Sequence, residues 1–275
     1  MYKNENGAIR LAMCNFIEDV EVLRNFALEH GFGGIDWSFD MADIPETFSE
    51  QAGWLERIKK LEPLEVRYHC PFSRLDIGHE DPFEQKRAME IFRRIIDLVS
   101  KAGGRYLTIH VGLGRDSTRM LSWEGTIHRL NDLVRYGSKR NVLLCLENLA
   151  WGWTAKPNLF EKLIRLSGAW VTLDIGHARA CEAVHTQQYE CEDFAAPHMN
   201  RICNAHVYHD EIEGLGHIPP ENVTDIENRL DVLSDADCRW WTLEIREKEG
   251  LIKTRRVVEG YLEGAALQMA AVQKH

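Results

Sequence analysis

Short apolar runs recur along the chain and alternate with longer stretches in which apolar residues return every three or four positions. An apolar run of four to six residues reads as a strand buried on both faces, and the longer period as a helix with one face in the core. On this basis strands are expected over residues 9–13, 34–37, 64–69, 106–110, 142–147, 170–174, 202–206 and 240–244. Helices are expected over 16–30, 45–60, 82–102, 121–136, 159–166, 226–233 and 254–272, with a partly helical stretch after His177. Gly31 and the Gly103-Gly104 pair supply stops, and Pro82 suits a first helical turn. Residues 208–220, polar and rich in glycine, read as a loop.

Eight strand–helix units with no dividing linker predict a closed (β/α)8 barrel, an α/β fold spanning residues 1–275 as a single domain. The first turn carries no glycine-rich dinucleotide or phosphate-binding fingerprint, which argues against a doubly wound nucleotide fold.

The strands end on residues that can hold a metal. Glu147, Asp174, His206 and Glu244 close the fifth to eighth strands, which neighbour one another around such a barrel. Three carboxylates and an imidazole form a hard, oxygen-rich set suited to Mn²⁺ or Mg²⁺, with Zn²⁺ or Co²⁺ as alternatives. Packed together without a cation, they would force at least one carboxyl to stay protonated. Each acid could instead be a lone strand-end residue held by backbone amides. His177, three residues after Asp174, points to substrate binding or a second ion. His69 and His110 close the third and fourth strands, where they could bind substrate or help Glu147 hold a second metal. Asp210 and His217 lie in the loop after His206, and Asp210 could orient a neighbour. Trp37, Phe72, Trp151 and Trp153 lie just past strand ends and could wall a cavity, Trp151 as a substrate contact.

Charge and cysteine content narrow the setting. The 43 acidic side chains against 33 basic ones, a net charge of -10, disfavour a broad nucleic-acid surface. Seven cysteines, an odd number in a chain of this length, read as buried hydrophobes rather than a disulfide framework. Neither a signal-like start nor a membrane-length apolar run is present, so a cytoplasmic protein without membrane contact is expected. A homo-oligomer is compatible with the sequence.

H-V-G after the fourth strand, L-E-N-L at the fifth, L-D-I-G-H-A at the sixth, N-A-H-V at the seventh and L-E-I at the eighth resemble the xylose isomerase-like TIM-barrel superfamily. That group spans sugar isomerases and epimerases, inosose dehydratase and endonuclease IV, and the resemblance covers essentially the whole chain. It implies one divalent metal on Glu147, Asp174, His206 and Glu244, proton exchange beside a carbonyl by Glu147 and Glu244, and substrate contact by His177. The implied partner is a small carbohydrate. The endonuclease branch implies further metals on His69, His110 and His177 and cleavage at abasic DNA. Its Asp-x-His pair after the seventh strand is missing here, as is the epimerase branch's arginine between His206 and Pro220.

Overall fold

The computed structural model describes residues 8–73, 75–112, 117–236 and 238–272. Its strands are β1 (Arg10–Cys14), β2 (Gly34–Ser38), β3 (Glu65–His69), β4 (Tyr106–Ile109), β5 (Leu143–Glu147), β6 (Trp170–Asp174), β7 (Ile202–Val207), β8 (Asp210–Ile212), β9 (Gly216–Ile218) and β10 (Trp240–Leu243). Seven of these and β10 form a closed barrel in the order β1-β10-β7-β6-β5-β4-β3-β2. Every neighbouring pair in it is parallel. The expected (β/α)8 architecture is therefore present. The expectation of a plain loop over 208–220 is corrected, because β8 and β9 pair antiparallel there. Gly214 and Gly216, at φ 81° and 77°, supply the left-handed turn geometry that brings the two strands together.

The helices are α1 (Val20–Glu29), α2 (Phe48–Lys59), α3 (Pro82–Lys101), α4 (Trp123–Ser138), α5 (Pro157–Ser167), α6 (Ile175–Ala180), α7 (Glu182–His185), α8 (Glu227–Asp235) and α9 (Lys248–Val272). Caps move several starts from the positions that periodicity suggests. Asp19 accepts the amides of Glu21 and Val22, so α1 begins at Val20 rather than near Phe16. Thr47 and Glu50 form a reciprocal capping box on α2, and Ser122 caps α4. Asp81 and Pro82 open α3, whose inner face buries Phe92, Ile95, Ile96 and Val99 against the barrel. Fully burying each such side chain is worth roughly 1.5–3 kcal/mol.

The barrel interior is polar in its middle layers. Thr108 and Thr172 share a hydrogen bond of 2.8 Å, and Asn204 donates to Thr172 Oγ1 at 3.2 Å. Arg67 donates to the Cys203 carbonyl at 2.8 Å and to Asn204 Oδ1 at 2.5 Å. Its guanidinium lies between the rings of Tyr106 and Trp240, 4.0 and 4.4 Å from their centroids. Cys14, Cys70, Cys145, Cys181, Cys191, Cys203 and Cys238 are all free thiols. Among the described residues, no helix is long and apolar enough to cross a membrane.

Candidate active site

The carboxyl ends of the strands bring Glu147, Asp174, His206 and Glu244 together. One ligand atom from each lies within 4.8 Å of all the others. His206 Nδ1 stands 2.8 Å from Glu244 Oε2, 3.1 Å from Glu147 Oε1 and 3.7 Å from Asp174 Oδ2. Its other nitrogen, Nε2, lies 3.1 Å from Asp36 Oδ2 on β2 and donates to it. That bond fixes the ring and leaves Nδ1 to face three carboxylates. A neutral ring would aim a lone pair at them, so a positive charge, either a proton or a divalent ion, has to sit between. Asp174 Oδ2 is buried without a hydrogen-bond partner. The donor set and this orphaned oxygen fit a hard divalent cation.

The electrostatics agree with that picture. Burial opposes ionisation of Glu147, but His206, His110 and His177 outweigh it and hold the carboxyl well below its ordinary range. Glu244 is held low in the same way, chiefly by His206 and His217. Burial pushes Asp174 up. Burial disfavours a charged His206, yet Glu147 and Glu244 prevail and raise it well above the ordinary histidine value.

A histidine arc surrounds this cluster. His69 Nε2 and His110 Nε2 both reach Glu147 Oε2, at 3.1 and 2.9 Å. Burial works against the charge on His110, but Cys70 and Glu147 carry its pKa up to about 9. Cys70 has ligating atoms grouped with those of His69 and His110. Its thiol, which burial alone would push up, is brought down to about 6 by His110 and His69. On the far side, His177 Nδ1 lies 3.1 Å from Asp174 Oδ2 and donates to the Asn148 carbonyl at 3.0 Å. His177 Nε2 lies 3.1 Å from Glu211 Oε2, and His177, Glu211 and His217 form another group that could hold an ion.

A cavity of ≈ 490 Å³ opens over these residues, and its walls include His69, His110, Glu147, His177, Glu211 and Glu244. Asp174 and His206, both fully buried, are not among them. Trp151 stands with its ring centroid 5.8 Å from that of His177 and lines a neighbouring hollow instead. Trp153 packs edge-on against Trp123 at 5.0 Å. Phe72 does line the cavity, whereas Trp37 lines the one beside it.

Sequence reasoning assigns Asp210 and His217 to the region after β7, but Glu211 is the acid that faces His177 there. Asp210 pairs with Arg179 at 3.0 Å. The alternation in D-E-I and G-H-I around a glycine-rich turn is the one local trace of this hairpin, and at three residues a side it is too short to override the loop composition. His217 donates to the Glu244 carbonyl at 2.7 Å and stacks on Tyr208 at 3.9 Å. Gly176 makes room for Tyr208, because a Cβ there would fall 2.0 Å from the phenol ring. Asp36 and Asn148 also have no role in the strand-end pattern. Asn148 donates to the Asp174 carbonyl at 2.8 Å and accepts the Asp174 amide at 2.9 Å, clasping β5 to β6.

Residues 25–264 match the sequence profile of the family described as xylose isomerase-like TIM barrel. The chain belongs to that family. An uncharacterised protein of Methanocaldococcus jannaschii is 28% identical to it over 198 residues, which cover 72% of this chain and 80% of that protein. The solved structure of a D-tagatose 3-epimerase-like protein superposes with a TM-score of 0.71 at 16% identity, over 95% of this chain and all (100%) of the other. Endonuclease IV from Thermus thermophilus superposes with a TM-score of 0.66 at 16% identity, over 93% of this chain and 99% of its own. At such identities the likeness is one of fold. The xylose isomerase-like barrel thus accommodates proteins named for an epimerase and for an endonuclease, and the choice between such chemistries rests on the site itself.

Proposed function

We propose that the chain is a divalent-metal-dependent isomerase or epimerase acting on a sugar or polyol by proton transfer beside a carbonyl. One observation carries this reading: of the four clustered ligands, only Glu147 and Glu244 line the cavity, while Asp174 and His206 do not. Two roles follow from that division. Asp174 and His206 hold the cation, with Asp36 orienting His206. Glu147 and Glu244 hold it too, and each offers a carboxylate oxygen to a substrate in the cavity as proton acceptor and donor. The ion, when bound, supplies positive charge that acidifies the hydrogen beside the carbonyl. Mn²⁺, Mg²⁺, Zn²⁺ and Co²⁺ all suit the donor set. His69, His110 and His177 stand around the cavity as hydrogen-bonding partners for hydroxyl groups, and Trp151 backs His177. The similarity to sugar epimerases of the same fold supports the choice of a small carbohydrate.

The test uses metal-loaded protein and a panel of ketoses in deuterated solvent, reading exchange of the hydrogen beside the carbonyl. Exchange in the wild type that collapses in Glu147→Gln and Glu244→Gln is the expected result. Undiminished exchange in both metal-loaded variants would remove these residues from the acid–base role.

A second reading is metal-dependent phosphodiester cleavage, as in an endonuclease. It is favoured by the histidines beyond the four-ligand set, with His69 and His110 on Glu147 and His177 beside Glu211 and His217. Those residues would hold further divalent ions, which would supply positive charge to a phosphate. Nicking of abasic DNA without any sugar exchange would select this reading, and a dehydration product from an inosose would select a lyase.

A further inference from the structure

Beside the reaction cavity lies a second one of ≈ 480 Å³, and the two share Ser38, Phe72 and Arg246 as walls. We propose that this second cavity holds a second sugar ring, so that the substrate is a glycosylated ketose and not a free monosaccharide. The proposal rests on the assignment of Glu147 and Glu244 to sugar chemistry and names the substrate class of that site.

Size is the first argument. Pockets for small ligands run from about 300 to 1,000 Å³. Either cavity alone suits one sugar-sized unit, and the pair suits a molecule of about two. A single ring engaged by Glu147, His177 and Glu244 would leave the compartment beyond Phe72 unfilled.

The lining chemistry is the second argument. Glu18, Asp40 and Asp43 line the second cavity together with Arg57 and Arg246, so acceptors and donors are mixed without a cationic excess. A phosphate placed there would meet three carboxylates, a repulsive setting for a dianion. Arg57 is moreover engaged already, donating to the Glu18 carbonyl at 2.9 Å and lying 5.0 Å from the Trp37 ring centroid. A neutral polyol uses both kinds of partner. Aromatic rings are among its walls too, with Phe39 stacked on Trp54 at 5.4 Å. Sugar C–H faces pack well on such rings.

The boundary residues are the third argument. Phe72, 70% exposed, stands edge-on to His110 with ring centroids 6.1 Å apart, which places an aromatic wall between the compartments. Arg246 Nη2 lies 4.0 Å from Glu244 Oε1, tying the junction to the reacting end. Contacts made by a remote ring can then be used to align the reacting one.

Calorimetry on the full chain loaded with Mn²⁺ tests this with three ligands: a ketohexose, the same ketohexose carrying a glucosyl group, and the same ketohexose carrying a phosphate. The glucosylated ligand should bind at least about tenfold tighter than the plain one, a gain of about 1.4 kcal/mol. That ratio should fall toward one in Phe72→Ala and, independently, in Asp43→Asn, both at exposed positions. Equal affinity for the plain and glucosylated sugars overturns the proposal, as does tightest binding of the phosphorylated one. Hydrogen exchange recorded on the same samples separates the two layers of inference. Exchange with equal affinities removes the second compartment and leaves the chemistry. A preserved affinity ratio without exchange removes the chemistry and leaves the compartment, and absence of binding by all three overturns both.

Discussion

Arg67 and Asp174 both place charge inside the barrel, but in opposite circumstances. Arg67 donates to Cys203, Asn204 and Glu65 and is sandwiched by two aromatic rings. Asp174, at the carboxyl rim, keeps an oxygen with no hydrogen-bond partner, and Asp36 Oδ1 and His110 Nδ1 are likewise without one. Buried polar groups left unpaired cost free energy that a fold normally avoids. The layer around Arg67 is satisfied by the barrel itself, whereas the rim keeps buried polar atoms unpaired, as the proposed cation and substrate site requires.

The largest expected break in this contrast is functional. Glu147→Gln and Glu244→Gln should lower turnover by about 10²–10⁴-fold, the usual worth of a positioned acid or base. Circular dichroism should show the fold retained, and an equal loss of fold and activity would argue against the assignment. Next is removal of metal. At a free ion concentration about a thousandfold above Kd, loading should add about 4 kcal/mol of stability, so a chelator should lower the thermal midpoint and re-addition should restore it. A midpoint indifferent to chelator would deny the cluster a cation.

Arg67→Met tests the satisfied layer. It strands the acceptors on Asn204 and Cys203 and should cost roughly 2–4 kcal/mol by urea denaturation. A neutral result would erase the distinction between the layers. Asp174→Asn tests the rim, where burial makes the charge unwelcome. In metal-free protein it should raise stability by about 1 kcal/mol while weakening metal affinity. A separate, pH-dependent effect belongs to His198, away from both layers, where burial lowers the pKa from 6.5 to about 4. Between those values the unfolded chain takes up a proton that the folded chain refuses. Stability therefore falls as the pH drops through that window. His198→Gln should remove up to about one proton from the acid dependence of unfolding, and an unchanged slope would contradict this.

The barrel is legible in the sequence because its strands are short, mostly apolar runs and its helices carry a strong 3.6-residue period. Both signals are local. The four clustered ligands are legible for the same reason, since each closes a strand and neighbouring strands converge. Asp36 is harder to read, because its contact with His206 joins residues 170 apart in sequence. Glu211 is hidden by the glycine-rich stretch around it, in which a three-residue strand gives too short an alternation to outweigh loop composition. Asp210 is the more prominent acid by position, but Arg179 takes it away from the cavity. The partition into two cavities depends on where Phe72 and Arg246 turn their side chains, which no local pattern encodes.

Under the proposed function, the clasp made by Asn148 bears on ion choice. With both hydrogen bonds of a backbone rung supplied by a side chain, β5 and β6 stay in register one step beyond their regular pairing. The spacing between Glu147 and Asp174 is therefore set by the sheet before any ion arrives. A frame of fixed width discriminates by ionic radius, because an ion of the wrong size is met with poorer contacts and not with an adjusted cage. Loosening the frame through Asn148→Ala would broaden the range of ions accepted, making metal preference a property of the strand pair as much as of the ligands themselves.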